Sequence, residues 1–262
     1  MGKLTGKTAL ITGASKGIGE GVARVMAEHG ANVVLAARGD DVFEAAARIC
    51  AAGAQALGVR MDVTDAQSVR EGYEQAVKEF GKVDILFANA GICHLGNFLS
   101  MTDADFYDHI NINVKGAWNA CQTVIPGMLE CKYGKIVIMS SVTGPMVADP
   151  GEAAYATSKA ALIGLTKALA REFAPHITVN AIMPGYVLTP LVEGMAVQSC
   201  PENPQSVIDG IAAAVPLGRL ASPRDIGGLA AFLVSDEASY LTGTGFVIDG
   251  GSTLPETTGM GV

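Results

Sequence analysis

Short apolar runs rich in β-branched residues recur along this chain with helical stretches between them, and this alternation constrains the fold more than any other feature. Runs that are apolar on both faces suit parallel strands covered by helices on both sides. We therefore predict a doubly wound α/β fold with a seven-stranded parallel sheet flanked by helices. The predicted strands are Ala9–Ile11, Val33–Leu35, Ala56–Val59, Val83–Phe87, Ile136–Met139, Thr178–Ile182 and Phe246–Ile248.

The stretches between these runs have the pattern of helices, and no linker interrupts the alternation. An apolar share of 49% is enough for a substantial core, so we predict a single domain over residues 1–262. Residues 189–214 mix prolines with apolar side chains, and we expect a lid or binding loop there. The predicted helices are Gly17–His29, Asp41–Ala52, Ala66–Glu79, Asp103–Cys131, Ala153–Phe173 and Pro223–Ser235.

Charge and cysteine content narrow the range of partners. Acidic residues outnumber basic ones by 26 to 18 without any basic block, which argues against binding to nucleic acid or to an anionic membrane. The five cysteines are odd in number and form no C-x-x-C motif, so we expect neither a disulfide framework nor a metal site. We find no leader and no apolar run long enough to span a bilayer, and we expect a cytoplasmic protein that binds small molecules.

A glycine cluster follows the first predicted strand and opens the first predicted helix. Its glycines, Gly13, Gly17 and Gly19, would leave backbone N–H groups at the helix N-terminus free for a pyrophosphate. A glycine-rich turn without a ligand is the alternative, which the flanking strand and helix disfavour. The loop also contains Ser15, Lys16 and Ile18, which we include in the predicted cofactor site.

Two basic residues indicate which dinucleotide is bound. An acidic residue at the end of the second strand would bind the ribose of NAD, but Ala37 and Arg38 stand there. The Arg38 guanidinium, together with Lys16, suits a 2′-phosphate, so we predict a preference for NADP(H), with NAD(H) still possible. Alternatively, the carboxylates of Asp40 and Asp41 neutralise Arg38 on the surface.

Tyr155 and Lys159 are four residues apart and share one face of a predicted helix. A phenol titrates near 10, and we expect the neighbouring ammonium to lower the pKa of Tyr155 toward neutrality. Ser141 follows a strand at the carboxyl edge of the sheet, where its hydroxyl would donate to an oxygen that gains negative charge. These groups suit hydride transfer to a carbonyl, with Tyr155 as the acid/base.

The ordered motifs of the chain resemble those of the short-chain dehydrogenase/reductase family over essentially the whole sequence. Residues 142–152 and 241–252 further resemble one enterobacterial branch of that family. The resemblance implies a Rossmann fold and an oxidoreductase that uses NAD(P). The motifs are Thr12-Gly13-x3-Gly17-x-Gly19, Asn89-Ala90-Gly91, Asn113, Ser141, Tyr155-x3-Lys159 and Pro184-Gly185.

The resemblance also implies roles for individual residues. Asn113 would hold a water against Lys159 as part of a proton relay, and Tyr155 and Lys159 would also contact the cofactor. The serine-to-tyrosine gap is one residue longer than usual, which leaves Ser140 or Ser141 as the reacting serine, and the register of the following residues favours Ser141. The remaining cofactor contacts would come from Asp62 and Val63 at the adenine, Asn89, Ala90 and Gly91 at the ribose and nicotinamide, and Pro184, Gly185, Val187 and Thr189 at the carboxamide.

We predict an NADP(H)-dependent oxidoreductase acting on a small ketone, aldehyde or secondary alcohol. The alternatives are an NAD-dependent alcohol or polyol dehydrogenase and a dinucleotide sensor without catalytic activity. The helix at Ala153–Phe173 is apolar nearly all round, which together with the resemblance predicts a homotetramer, although such a face could also pack under a loop. A mainly apolar pocket is expected from His94, Met146, Tyr186, Leu191, Met195 and Val197.

Three further residues have a structural interpretation. Cys93 and His94 are expected in the pocket wall, since no other histidine stands at ligand spacing. Glu152, three residues before Tyr155, is expected to interact with the dipole of its helix. Trp118 lies among apolar helix positions and is expected in the core or at an interface.

Overall fold

A single parallel sheet organises the molecule, as the sequence predicted. The computed structural model describes residues 2–254, apart from the side chain of Gln198. Within those residues seven strands form one sheet in the order β3-β2-β1-β4-β5-β6-β7, and all neighbouring pairs are parallel. The strands are β1 (Thr8–Thr12), β2 (Asn32–Ala37), β3 (Ala56–Arg60), β4 (Ile85–Ala88), β5 (Gly134–Met139), β6 (Ile177–Pro184) and β7 (Gly245–Ile248).

Helices cover both faces of this sheet. Helices α1, α2 and α9 pack over one face and α3, α5 and α6 over the other, so that alternate strand residues enter separate cores. No helix in the range 2–254 is long and apolar enough to cross a membrane. The helices are α1 (Gly17–Glu28), α2 (Asp41–Ala51), α3 (Ala66–Phe80), α4 (Asp103–His109), α5 (Gly116–Glu130), α6 (Ala153–Glu172), α7 (Pro190–Ser199), α8 (Pro204–Ala214) and α9 (Pro223–Leu233).

Strand order reverses at β1, which pairs with β2 on one side and with β4 on the other. The connections from β1 and β4 therefore leave in opposite directions, and a crevice opens beyond the carboxyl ends of these two strands. Every residue of β1 and β4 is buried, so the floor of the crevice is fixed by the core of the sheet.

The single helix predicted over Asp103–Cys131 is interrupted. Between α4 and α5 lies a π-helical turn at Ile110–Lys115, which accommodates one more residue per turn than an α-helix. The buried Asn113 lies within this turn. The apolar periodicity of the sequence did not reveal the turn, because hydrogen bonds to distant segments hold Asn113 there.

The segment at 189–214 contains two helices rather than an irregular loop. Its prolines at Pro190 and Pro204 occupy the first turns of α7 and α8, where a missing N–H costs nothing. The side chains of Thr189 and Asn203 cap these helices by accepting the N–H groups of Val192 and of Ser206. The segment is therefore helical rather than irregular, and its role as a lid over the site stays a prediction.

Candidate active site

A cavity of about 1070 Å³ opens beyond the carboxyl ends of the strands and gathers almost all of the predicted site residues. We call its two parts the glycine-loop end and the tyrosine end. Gly19 and Asn113 are the two predicted site residues that do not line it. The glycine-loop end comprises Gly13, Ser15, Lys16, Gly17, Ile18, Ala37, Arg38, Gly39, Asp41, Asp62, Val63, Asn89, Ala90 and Gly91. The tyrosine end comprises Cys93, Ser141, Val142, Thr143, Val147, Asp149, Glu152, Tyr155, Lys159, Tyr186, Leu191, Met195, Val207 and Ile211.

The glycine loop is packed tightly against the loop that follows β4. Gly13 has a φ of +64°, and a Cβ there would lie 2.8 Å from the Cα of Ala90. A Cβ at Gly19 would lie 2.3 Å from the carbonyl oxygen of Gly13. The Asn89 amide donates to the carbonyls of Thr12 and Gly13 at 3.0 and 3.1 Å. Glycine is therefore required at Gly13 and Gly19 to keep the two loops in contact.

The N-terminus of α1 is open toward the glycine-loop end. Lys16, at the N-cap position, provides no side-chain hydrogen bond to this helix, whereas Asp65 and Ser222 cap α3 and α9. First-turn N–H groups without a side-chain cap, together with the helix dipole, form a site for an anion. The loop therefore fits the pyrophosphate of a dinucleotide.

Arg38 is exposed on the rim of the glycine-loop end. Of the two carboxylates that the sequence suggested as partners, Asp40 instead forms an ion pair with Arg60, and Asp41 lines the same end of the cavity. Within residues 2–254, neither Arg38 nor Lys16 forms a salt bridge. Two cationic side chains are thus available for phosphate groups at this end of the cavity.

Asn113 joins the loop after β4 to α6. Its Nδ2 donates to the carbonyl of Ile92 at 3.0 Å and to the hydroxyl of Ser158 at 2.9 Å, and its Oδ1 accepts the Ile92 N–H at 2.8 Å. Both amide hydrogens are therefore used within the protein. A relay water on Asn113 would have to contact its backbone carbonyl rather than its amide nitrogen.

The two candidate serines face different ways. The Ser140 hydroxyl donates to the backbone carbonyl of Lys159 at 2.8 Å, so its proton is used within the protein although Ser140 also lines the cavity. The Ser141 hydroxyl accepts the N–H of Thr143 at 3.1 Å and lies within hydrogen-bonding reach of the Tyr155 hydroxyl. Of the pair, Ser141 is the one placed to act with Tyr155.

Burial, rather than the lysine, dominates the titration of Tyr155. Burial raises the pKa of the phenol far above its usual value, the Cys93 thiol and the Glu152 carboxylate add to this rise, and the Ser141 hydrogen bond opposes it. Burial also lowers the pKa of Lys159 to about 8. Its Nζ donates to the Met139 carbonyl at 2.9 Å and lies 5.5 Å from the centre of the Tyr155 ring. The expectation that Lys159 lowers the pKa of Tyr155 was wrong for the protein alone.

A polar wall, which the sequence analysis missed, lines the tyrosine end. It includes Thr143, Asp149 and the half-buried Glu152. Glu152 makes no side-chain hydrogen bond to the helix that it precedes, and its Oε2 instead accepts the Asp149 N–H at 3.1 Å. Burial raises the pKa of this carboxyl. The position of Glu152 one helical turn before Tyr155 was the available signal.

The opposite wall is apolar, but not with all of the expected side chains. Leu191, Met195 and Tyr186 line the cavity, whereas His94, Met146 and Val197 do not. Leu191 and Met195 of α7 and Val207 and Ile211 of α8 line this part of the cavity. The expectation of a mainly apolar pocket is confirmed for the lining as a whole, although the wall with Thr143, Asp149 and Glu152 is polar.

Cys93 and His94 occupy a short loop that leads into the tyrosine end. Burial raises the pKa of the Cys93 thiol to about 11, so the group is a thiol and not a nucleophilic thiolate at neutral pH. The His94 N–H donates to Nε2 of the buried His109 at 3.0 Å, and Nδ1 of that ring lies 2.7 Å from the Asp105 carbonyl. In the described part of the chain, no group of three or more potential ligands could hold a metal ion.

The chain is similar to several known proteins over its full length. A family model described as enoyl-(acyl carrier protein) reductase matches residues 13–253. The oxidoreductase UcpA of Salmonella typhimurium is 57% identical over 263 residues, which cover 100% of both chains. The 3-oxoacyl-[acyl-carrier-protein] reductase FabG of Thermotoga maritima is 36% identical, over 96% of this chain and 100% of that one.

A solved structure agrees with these matches. The crystal structure of a short-chain type dehydrogenase/reductase from Mycobacterium marinum is 40% identical and has a TM-score of 0.88, over 96% of this chain and 97% of that one. The resemblance to an enterobacterial branch, noted for residues 142–152 and 241–252, is confirmed by the match to UcpA.

Proposed function

Because the chain belongs to the short-chain dehydrogenase/reductase family and is an oxidoreductase, we propose that it transfers a hydride between NADP(H) and a small ketone, aldehyde or secondary alcohol. The family implies NAD or NADP as the cofactor. The observation that carries the proposal is that Ser141 and Tyr155 meet in the same cavity as the uncapped N-terminus of α1. A reacting carbonyl and a dinucleotide would therefore occupy one continuous space.

The residues of the tyrosine end have separate roles in this reaction. The Tyr155 hydroxyl donates its proton to the carbonyl oxygen as the carbonyl carbon is reduced, and the same oxygen accepts a hydrogen bond from Ser141. When bound, the reduced nicotinamide supplies the hydride, so that one hydride and one proton convert the carbonyl to an alcohol. In the reverse direction, Tyr155 removes the proton from the alcohol.

Lys159 acts on Tyr155 and on the cofactor. A Cβ at Gly91 would lie 3.5 Å from the Lys159 Nζ, which places the ammonium where the glycine-loop end meets the tyrosine end. From this position it would bind the nicotinamide ribose and stabilise the tyrosinate that remains after proton transfer. Because burial raises the pKa of the phenol, most of the tuning has to come from charges that approach during catalysis.

The preference for NADP(H) rests on Arg38 and Lys16. Asp40, which could compete with a phosphate for Arg38, is held by Arg60 on the neighbouring strand β3. Two side-chain cations at the rim would each gain a charge-assisted hydrogen bond from a 2′-phosphate. NAD, which lacks this phosphate, would gain neither.

The test measures kcat/KM for NADPH and NADH on a panel of ketones and aldehydes. In Arg38→Asp we expect kcat/KM for NADPH to fall about 100-fold, since a charge-assisted contact becomes a repulsion, while the value for NADH is largely retained. Arg70→Asp, an exposed arginine on α3, is the matched control. Unchanged NADPH affinity in Arg38→Asp would refute the preference and favour an NAD-dependent alcohol or polyol dehydrogenase.

The role of Tyr155 is tested in the same assay. Tyr155→Phe removes the proton donor, and we expect kcat to fall about 10²- to 10⁴-fold, with a much smaller loss of dinucleotide affinity from the missing contact between the phenol and the cofactor. The control is Tyr133→Phe, because the Tyr133 hydroxyl donates to Asp236 on another part of the surface. Full activity in Tyr155→Phe would contradict the mechanism, and a wild-type protein without turnover would favour the dinucleotide sensor.

We also propose that the enzyme is a homotetramer in the cytoplasm. The outward side of α6 carries small residues, whereas large apolar side chains are exposed on α4 and α5, including Tyr107 and Trp118. Trp118 was expected either in the core or at an interface. It is 50% exposed in the single chain, so it does not lie in the core. Sedimentation as a monomer would contradict this assembly.

A further inference from the structure

The carboxylate of Glu152 is well placed to sense what is attached to the reacting carbon. Glu152 is the N-cap residue of α6 and precedes Tyr155 by three residues. Both line the tyrosine end of the cavity. The inference that follows rests on the proposed function, since it assumes that a carbonyl is bound at Tyr155.

The carboxylate retains hydrogen-bonding capacity toward the cavity. One of its oxygens accepts the Asp149 N–H, and the Thr143 hydroxyl lies within hydrogen-bonding reach. A carboxylate has about four acceptor positions, so about two remain. These would accept hydrogen bonds from a bound molecule but could not donate to one.

Negative charge predominates around Glu152. Asp149 contributes a second carboxylate to the same wall, and among the described residues Lys159 is the one lysine or arginine that lines the tyrosine end. The Lys159 ammonium is buried and already donates to the Met139 carbonyl. The cations Lys16 and Arg38 belong to the glycine-loop end. A negatively charged substrate group beside Tyr155 would therefore meet two carboxylates with little compensation.

From this arrangement we propose that Glu152 determines substrate specificity. It selects carbonyl compounds or alcohols that carry a hydrogen-bond donor, a hydroxyl or an ammonium, beside the reacting carbon, and it disfavours those that carry a carboxylate or phosphate there. The apolar wall formed by α7 and α8 receives the rest of the substrate. The enzyme is thus suited to hydroxyketones, aminoketones and the corresponding alcohols.

The test uses ketones of similar shape that differ only in the group beside the carbonyl: propiophenone, α-hydroxyacetophenone, α-aminoacetophenone and phenylglyoxylate. For each ketone, kcat/KM is measured at pH 7 in wild type and in Glu152→Gln, and the ratio of the two values cancels the intrinsic reactivity of the ketone. Glutamine keeps the shape and still accepts the Asp149 N–H. Glu172→Gln, at the exposed far end of the same helix, is the matched control.

In Glu152→Gln we expect kcat/KM to rise roughly tenfold for phenylglyoxylate relative to propiophenone, because a repulsion between charges is removed. In the same variant, kcat/KM for the α-amino and α-hydroxy ketones should fall roughly tenfold relative to propiophenone. If the charge of Glu152 dominates, kcat/KM falls more for the α-ammonium ketone than for the α-hydroxy ketone. If hydrogen bonding dominates, the two values fall equally. The same ratios should not change in Glu172→Gln.

A change of equal size for all these ketones would overturn the inference, because Glu152 would then act only through the pKa of Tyr155. If wild type reduces none of them with either cofactor, the proposed function fails on this panel. Calorimetric titration of the same compounds then decides the specificity inference on its own. A binding order that places phenylglyoxylate first in wild type would overturn it.

Discussion

The two ends of the cavity are built differently. The glycine-loop end is formed largely by backbone, from a turn at Gly13 that allows no Cβ and from strand ends that the core holds in place. The apolar wall of the tyrosine end is formed by side chains of the two short helices α7 and α8, among which Leu191 is 52% exposed. The dinucleotide is the same in many enzymes, so its site can be formed by backbone. The substrate differs from one enzyme to another, and its site changes by substitution of exposed side chains.

This difference has an energetic side. Backbone at the glycine-loop end is continuous with the two apolar cores, so a change there disturbs packing as well as binding. Exposed side chains at the tyrosine end contribute little to the free energy of unfolding. Stability and binding should therefore change together at the glycine-loop end and separately at the apolar wall of the tyrosine end.

The largest effect on stability is expected at Lys159, where the two ends meet. Burial lowers its pKa from 10.5 to about 8, so below pH 8 the folded state bears the full cost of a buried ammonium. Between about pH 8 and 10.5 the folded protein loses this proton while the unfolded chain keeps it, and stability rises with pH. The gain is about 3 kcal/mol, at about 1.4 kcal/mol per pKa unit.

Urea unfolding of wild type and Lys159→Met at pH 7 to 10 measures this gain. The free energy of unfolding of wild type should rise relative to that of the variant across this range. Above pH 10 the raised pKa of Tyr155 acts in the opposite direction, because the unfolded chain then releases a phenolic proton that the folded state retains. Lys167→Met, on the exposed side of α6, keeps the buried Lys159, so its free energy of unfolding should rise with pH in parallel with that of wild type. A constant difference between wild type and Lys159→Met would contradict the buried charge.

A smaller effect is expected at Gly13. In Gly13→Ala the new Cβ would lie 2.8 Å from the Cα of Ala90, so the two loops have to separate. We expect a loss of about 1–3 kcal/mol in the free energy of unfolding and a loss of dinucleotide affinity of at least about tenfold. Denaturation and fluorescence titration with NADPH measure these two quantities.

The matched control is Gly228→Ala, because a Cβ at this exposed position in α9 meets nothing within 4 Å. It should stabilise the protein by up to about 1 kcal/mol through helix propensity alone. Equal behaviour of the two alanine variants would contradict the tight packing of the glycine loop.

The smallest effect on stability is expected at Leu191. Leu191→Ala removes an exposed side chain from the apolar wall, and the free energy of unfolding should change by less than about 0.5 kcal/mol. The KM for an aromatic ketone should rise a few-fold, while the dissociation constant of NADPH stays the same. The control is Leu217→Ala, because Leu217 is 70% exposed and does not line the cavity. This variant should change neither the KM for the ketone nor the dissociation constant of NADPH. A change in NADPH affinity in Leu191→Ala would remove the distinction between the two ends.

The parts of the fold and site that were predicted from the sequence are those whose residues form a recognisable pattern within one short stretch of the chain. The glycine loop lies between a strand and a helix, and residues within one short stretch carry that pattern. Spacing along one helix placed Tyr155 beside Lys159, and the register after Ser141 distinguished it from Ser140. The seven parallel strands agree with the prediction because runs that are apolar on both faces suit the interior of a parallel sheet.

The parts that escaped prediction depend on contacts between distant residues. Asp40 pairs with Arg60, twenty residues away, because β2 and β3 are neighbours in the sheet. The pKa of Tyr155 depends on burial under several elements, which spacing along one helix does not report. Similarly, Glu152 turns toward Asp149 rather than toward its own helix.

The π-helical turn at Ile110–Lys115 also limits how this chain can change during evolution. Deleting one residue there would restore ordinary α-helical geometry and, because the extra residue of the turn is the one removed, would leave the orientation of α5 close to its present one. Such a deletion would still break the hydrogen bonds that Asn113 makes from within the turn, while Trp118 on α5 would keep its present direction. Deletions at this turn should therefore be rare among descendants of this sequence, because they would alter the reaction centre even where the outer surface is unchanged.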